Sequence, residues 1–267
     1  MVTRRRFLTG LAGGVAAAGT ASAAWAVGIE PELLFETTVD VVEPRWRLPP
    51  LRIAFLSDLH VESIERLRQV VGRVNAHRPD LICLGGDYIA GRGRNPPVGP
   101  AAFAEVLADL NSANGAVSVL GNHDWWHGGE AVARELEQAR IRVLENGRLA
   151  IDSPSGRLWV AGLADQTTRS PDTAKALAGI PADEPVLMLS HDPGTFADIP
   201  KRVLLTLAGH THGGQVYLPG IGAPWTPGRA PPRHVYGLIE EDSKRMFVTA
   251  GVGTSGLPMR FNRPPEI

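Results

Sequence analysis

The sequence has one cysteine in 267 residues, so no disulfide can form within the chain. That residue, Cys83, lies in the apolar run Leu81-Ile82-Cys83-Leu84, which predicts a buried structural thiol. A cysteine-poor chain fits any redox compartment, so localisation has to be read elsewhere. An excess of one charge is lacking too: 27 Lys and Arg against 28 Asp and Glu leave a net charge of −1. No global field therefore favours nucleic acid or an anionic surface, and a nucleic-acid partner is not expected. No internal repeat and no second globular domain can be discerned. The 30 glycines and 22 prolines mark loops rather than disorder, because apolar residues reach 43%. The length suits one α/β domain plus a targeting segment.

Charge is absent from Phe7 to Ile29, directly after Thr3-Arg4-Arg5-Arg6. Thr3-Arg4-Arg5-Arg6-Phe7-Leu8 resembles a twin-arginine (Tat) export signal. Ala21-Ser22-Ala23 and Ala24-Trp25-Ala26 each supply a small-x-small cleavage pattern. An uncharged stretch of about 20 residues can also span a bilayer, so a retained anchor over residues 7–29 is the competing reading. Either way the arginines stay inside and the domain faces outward. The expected organisation is residues 1–29 as signal or anchor and 30–267 as the globular domain. The expected location is the periplasm or cell envelope, with the Tat machinery and a membrane surface as partners.

Alternating apolar positions at Phe35, Val39 and Val41 predict a short strand. From Leu51 onward strands and helices alternate. Strands are expected over 51–57, 81–84, 116–120, 158–163, 186–190 and 203–208. Helices are expected over 64–76, 100–110 and 130–140, the first with Ile64, Leu67, Val70, Val71 and Val74 on one face. A hairpin is expected from 235–240 and 246–250. The rhythm is βαβ, and the whole suggests two packed sheets with helices outside.

Polar residues recur where these strands end. Asp58 and His60 follow the first, Gly86-Asp87 the second, and Gly121-Asn122-His123-Asp124 the third; His191 and Gly209-His210-Thr211-His212 follow later ones. Strand ends of α/β sheets open onto a shared crevice. Carboxylate, amide and imidazole donors suit borderline divalent ions, and seven of them suit two ions sharing a carboxylate. Glycines beside the ligands, Gly86, Gly121 and Gly209, are expected to serve tight backbone turns.

This order of motifs is similar to that of the calcineurin-like metallophosphoesterases, from Asp58 to His212. The resemblance implies a four-layered αββα sandwich and two divalent ions, with Mn, Fe, Zn and Co all compatible with the donors. It implies one ion held by Asp58, His60, Asp87 and His212, and a second by Asp87, Asn122, His191 and His210, with Asp87 bridging. His123 would be the catalytic, non-ligand histidine and Asp124 would orient it. The export signal and the ending from Gly251 to Arg260 resemble the bacterial YkuE-like branch.

The implied reaction is hydrolysis of a phosphoric ester by a metal-bridging hydroxide, with the ions neutralising developing charge and His123 protonating the leaving oxygen. Monoester and diester substrates both remain open. Trp125, Trp126 and Trp225, with the Pro- and Gly-rich stretch 218–232, could form an apolar lip suited to a lipid-linked phosphoester. Two alternatives stand beside this: a non-catalytic interaction scaffold, which intact ligands argue against, and an inward-facing pyrophosphatase of the UDP-diacylglucosamine type. Among the other histidines, His77 is expected at a solvated helix end and His127 near the site; His234 carries no signal. Arg92 and Arg94 could steer a phosphate or form a solvated basic loop.

Overall fold

The computed structural model describes residues 19–91, 95–153 and 156–267. Arg4, Arg5, Arg92 and Arg94 lie outside the described residues. The first sheet consists of β1 (Ile53–Leu56), β2 (Leu81–Leu84), β3 (Ala116–Ser118) and β4 (Ile141–Val143), in that order and all parallel. The second has β5 (Gly147–Ser153), β6 (Gly156–Gly162), β7 (Val186–Ser190), β8 (Leu205–Ala208), β9 (Gly237–Glu241) and β10 (Lys244–Val248), in the order β5-β6-β7-β8-β10-β9. Its inner pairs β6-β7, β7-β8 and β8-β10 are parallel, and its two edge pairs are antiparallel.

Strand alternation sorts the core into three slabs. Phe55, Leu81, Cys83 and Val117 face inward from the first sheet and meet Leu158, Val160, Leu187, Leu189, Leu205 and Leu207 of the second. Cys83 is fully buried between the sheets, as its apolar run predicts, and burial pushes its thiol up to about 12. The opposite residues of β1 and β2, Leu56, Ile82 and Leu84, pack under α1 (Ile64–Ala76), α2 (Pro100–Leu107) and α4 (Gly129–Gln138). The outer face of the second sheet, with Ala161, Met188, Met246 and Val248, is covered by α5 (Thr173–Leu177) and a 3-10 segment, Pro193–Asp198. The fourth layer of the αββα sandwich is therefore thin.

Several sequence expectations need correcting. Phe35 forms one isolated bridge, to Glu266, rather than opening a strand over 35–41, and Phe35 and Val39 stay exposed. Alternation without a second strand to pair or a core to bury it does not make a sheet. Strands β4 and β5 and the short helices α3 (Asn122–Trp126) and α5 are additions. The predicted hairpin is β9-β10, turning at Asp242 and Ser243, whose φ values of 54° and 62° are those of a tight hairpin turn.

Residues 19–28 are helical, and among the described residues no helix is long and apolar enough to cross a membrane.

Candidate metal centre

The carboxyl ends of β1, β2, β3, β7 and β8 converge at one edge of the sandwich, and each is followed at once by the residues singled out above. Asp58, His60, Asp87, Asn122, His123, Asp124, His191, His210 and His212 are all buried. Main-chain bonds weave the separate loops together: Asp58 N–H donates to Gly86 O (2.9 Å), His60 N–H to Asp87 O (3.0 Å) and Gly209 N–H to His191 O (3.0 Å). His210 N–H donates to the Asp58 carboxylate (2.9 Å to Oδ2), tying the two sheets across the site.

The ligand-bearing backbone is unusual. Asp58, His60, Asp87, His210 and His212 all have positive φ, at 53°, 36°, 55°, 67° and 53°. Left-handed conformations at non-glycine residues cost of order 1–3 kcal/mol each and cluster at functional sites. Glycines beside them answer a different need from the one expected. Only Gly86 has positive φ, at 90°. At Gly121 a Cβ would overlap Asp87 Oδ1 and His191 Cε1, and at Gly209 it would overlap Ser57 Oγ and Asp58 Oδ2. Those two positions are glycine because other groups occupy the space of a side chain.

Side chains gather into three overlapping groups: Asp58, His60 and His212; Asp87, His191 and His210; and His60, Asp87 and His123, each with donor atoms within 4.8 Å of one another. His60 links the third group to the first, and Asp87 belongs to the second and third. Its Oδ1 accepts from His123 N–H (2.8 Å), leaving Oδ2 at 3.3 Å from His191 Nε2 and 3.7 Å from His60 Nε2. Burial would push the Asp87 carboxyl up, but His191, with help from His60 and His123, holds it well below the usual carboxylate range.

The donor chemistry fits cations. His60 Nδ1–H donates to Ile89 O (2.9 Å) and His191 Nδ1–H to Gly85 O (2.7 Å), which leaves a lone pair on each Nε2. His60 Nε2 nevertheless lies 3.2 Å from His212 Nε2, and His191 Nε2 lies 3.0 Å from His210 Nδ1. Each pair can be bridged by one ring N–H, and the same nitrogens converge where a cation could bind. Burial pulls His212 down to about 3, with His60 and Arg260 adding to it against Asp58, so the ring is neutral and able to ligate. Asn122 Oδ1 is buried with no hydrogen-bond partner among the described residues, a condition that a cation would relieve.

The carboxylate of Asp124, expected to orient His123, is turned to main-chain N–H groups rather than to the His123 ring. Its carboxylate accepts from the main-chain N–H groups of Asp87 (2.8 Å), Tyr88 (2.8 Å), Ile89 (3.2 Å) and Gly121 (3.0 Å). With its oxygens engaged in this way it braces the Asp87 loop against the start of α3, and none of these bonds is to the ring of His123. His123 instead donates Nδ1–H to Gly91 O (2.8 Å), and burial holds its pKa below the ordinary histidine value. Its ring stands between His60 (centroids 4.6 Å) and Trp126 (4.8 Å). Trp125 also departs from expectation: it packs on the first-sheet core with Arg169 stacked over it at 4.0 Å, so it does not form a lip.

Other residues act here that had been given no role in the site. Asp165 ends β6 as the ligands end their strands; it is buried, and its charge adds to those of Asp87 and Asp58, which raise the pKa of His191 against the effect of burial. Strand-end position was the signal that could have found it. Asp192 Oδ2 sits 3.8 Å from His210 Nε2. Arg260 is fully buried and donates to the carbonyls of Ala250 (2.9 Å), Gly251 (3.2 Å), Gly253 and Arg263 (2.9 Å). That loop closes on the site, since Val252 N–H donates to Ser57 O (3.2 Å) and Gly253 N–H to Asp58 O (2.7 Å). Burial draws Arg260 down to about 10. Away from the site, His77 caps α1 and meets Glu36 (3.0 Å), while His234 pairs with Glu241 (2.7 Å).

Residues 51–214 match the family model of the calcineurin-like phosphoesterases. With the fold and the buried Asp/His clusters this defines the class, and the chain belongs to that family of metal-dependent phosphoesterases. Among curated relatives it is 33% identical to the metallophosphoesterase YkuE of Bacillus subtilis, over 100% of this chain and 96% of that one. It is 32% identical to the phosphodiesterase YaeI of Escherichia coli, over 82% and 80% of the two chains. A 5'-nucleotidase precursor from Thermus thermophilus shares the fold, with a TM-score of 0.51 at 16% identity over 76% of this chain and 49% of that one.

Proposed function

We propose that this chain is a dinuclear phosphoesterase of the cell envelope acting on a lipid-linked phosphoester. Asp58, His60, Asp87 and His212 hold one divalent ion; Asp87, Asn122, His191 and His210 hold the other. The observation that carries this is the placement of Asp87 Oδ2, which faces His191 on one side and His60 on the other while Oδ1 is fixed by His123 N–H. When bound, the ions supply Lewis-acid activation of water and neutralise charge on the phosphoryl oxygens.

The chain's own residues supply the rest. Gly91 O holds His123 Nδ1–H, so Nε2 is the ring nitrogen left for the substrate; in the imidazolium form it gives its proton to the leaving oxygen. Asp124 keeps Asp87 and the first turn of α3, and with it His123, in register through its four main-chain bonds. Exposed apolar side chains support the lipid reading. Trp126 is 46% exposed beside His123. Leu257, 60% exposed, follows Ser255, whose hydroxyl reaches His123. Ile221 and Trp225 are exposed on the loop whose Gly228 abuts His210.

The test is a turnover screen of purified protein against phosphomonoesters, phosphodiesters and phospholipids with Mn, Fe, Zn and Co. Metal-dependent hydrolysis favouring lipid esters is expected; hydrolysis of water-soluble esters alone removes the lipid reading. Two bound ions without turnover of any ester would favour a scaffold. Export by the Tat route rests on Arg4 and Arg5. Replacing both by Lys keeps the charge, so retention of that variant inside the cell reports recognition by the exporter, and normal fractionation to the envelope refutes it.

A further inference from the structure

We propose that Ser255 is a positioning residue for His123, and that Gln215 holds Ser255 in place. The inference rests on the phosphoesterase reading above for its kinetic meaning. Ser255 Oγ lies 3.4 Å from His123 Nε2, the one ring nitrogen not committed to Gly91 O. His123 is thereby held at both nitrogens, from two loops well separated in the sequence. A hydroxyl can donate to Nε2 of the neutral ring and accept from Nε2–H of the imidazolium, so Ser255 holds the ring in the same orientation in either proton state.

The loop bearing Ser255 is itself fastened. Gln215 Oε1 accepts from Ser255 N–H (2.9 Å), and Gln215 Nε2 donates to Ser255 O (3.3 Å) and Leu257 O (2.8 Å). One side-chain amide thus grips the loop at Ser255 and Leu257. Gln215 lies three residues beyond His212, so the segment that ends in a candidate ligand also sets the contact on His123. At its other end the loop is anchored by Gly253 N–H to Asp58 O (2.7 Å) and by the buried Arg260.

The experiment compares Ser255→Ala, Ser255→Thr, Gln215→Ala, His123→Ala and the double variant Ser255→Ala/His123→Ala in the full chain loaded with Mn2+. Orientation of a general acid is a fraction of its ~10²–10⁴-fold worth, so Ser255→Ala should cost roughly tenfold in kcat on an alkyl phosphoester. KM should hold, the loss on a p-nitrophenyl ester should be smaller, and Ser255→Thr should restore the rate. Gln215→Ala should reproduce Ser255→Ala. In the His123→Ala background, Ser255→Ala should add nothing, because the two act as one unit. A second readout needs no turnover: the ring 15N signals of His123, identified by their loss in His123→Ala, should shift in Ser255→Ala and return in Ser255→Thr, with and without Zn2+. Equal kcat for Ser255→Ala and wild type with an unmoved His123 signal overturns the inference. So does an equal loss in the His123→Ala background, which would mean the loop acts on something else. If the wild-type protein hydrolyses no phosphoester, the functional reading fails, and the ring signals still decide the contact.

Discussion

At Asp87 two demands meet in one side chain. Its Oδ1 is engaged by His123 N–H, and its Oδ2 looks toward both histidine groups, so the residue is geometrically shared while Asp58 belongs to one group only. Asp87→Asn is nearly isosteric and can still accept from His123 N–H, but it removes the charge that faces both His191 and His60. Metal content by elemental analysis after dialysis should therefore fall at both positions, with affinity down by more than about tenfold, or ~1.4 kcal/mol, at each. Asp58→Asn should empty mainly one. An Asp87→Asn protein that keeps two ions per chain would refute the shared position. The residue types of this site were legible in the sequence because each stands directly after an apolar strand. What the carboxylates bond to was not. Asp124 lies next to His123 in sequence, yet a short helix turns its carboxylate back toward Gly121 and the Asp87 loop, a geometry that adjacency along the chain does not disclose.

Among the elements, strands buried on both faces were the most legible: β2 and β7 have the limits that their apolar runs predicted. Helix α1 was equally plain from its periodic face. The half-exposed strands β4 and β5 were not, since Arg142, Arg148 and Asp152 interrupt their apolar pattern. Their place is set by tertiary pairing, β5 against β6 and β4 against β3. Glycine shows the same limit, because the letter does not say whether it serves a turn, a close approach or nothing. Gly72 lies on the exposed side of α1, where a Cβ would meet nothing within 4 Å. Gly72→Ala should stabilise the protein by about 0.5–1 kcal/mol, the helix-interior difference between the two residues. At Gly121, whose φ of −102° any residue tolerates, the Cβ would instead drive Asp87 and His191 apart. Gly121→Ala should cost about 1–3 kcal/mol as an overpacked site and should weaken metal binding as well. Urea unfolding of the two variants with a metal titration of each checks both signs; a Gly121→Ala protein with wild-type stability and metal affinity would show that the site can give way.

At the scale of the whole molecule, the N-terminal and C-terminal segments are fastened to one another beside the metal centre. Ala26 O accepts from Arg260 N–H (2.8 Å), and the buried Glu30 accepts from Trp25 Nε1–H (2.8 Å) and Arg263 N–H (2.7 Å). Phe35 N–H donates to Pro265 O (2.8 Å), and Ile267 N–H donates back to Phe35 O (3.0 Å). Arg260 in turn holds the carbonyls of the loop that closes on Asp58, so the end of the uncharged stretch, at Trp25 and Ala26, supports the site through one intermediate side chain. This bears on the two small-x-small patterns. A chain beginning at Ala24 keeps Trp25, Ala26 and Glu30, and should melt with the full-length protein. A chain beginning at Val27 lacks the acceptor for Arg260 N–H and the indole on Glu30. Its stability should fall by about 1–3 kcal/mol, the cost of buried polar groups left without partners. Because the loss is at Arg260, the Val27 chain should also bind metal more weakly at the Asp58 group than at the Asp87 group. Thermal unfolding and metal titration of the two truncated proteins decide between the patterns. Identical melting and identical metal affinity for both would mean that the 25–30 segment rests on the domain without supporting it, and that either cleavage point is compatible with an intact centre.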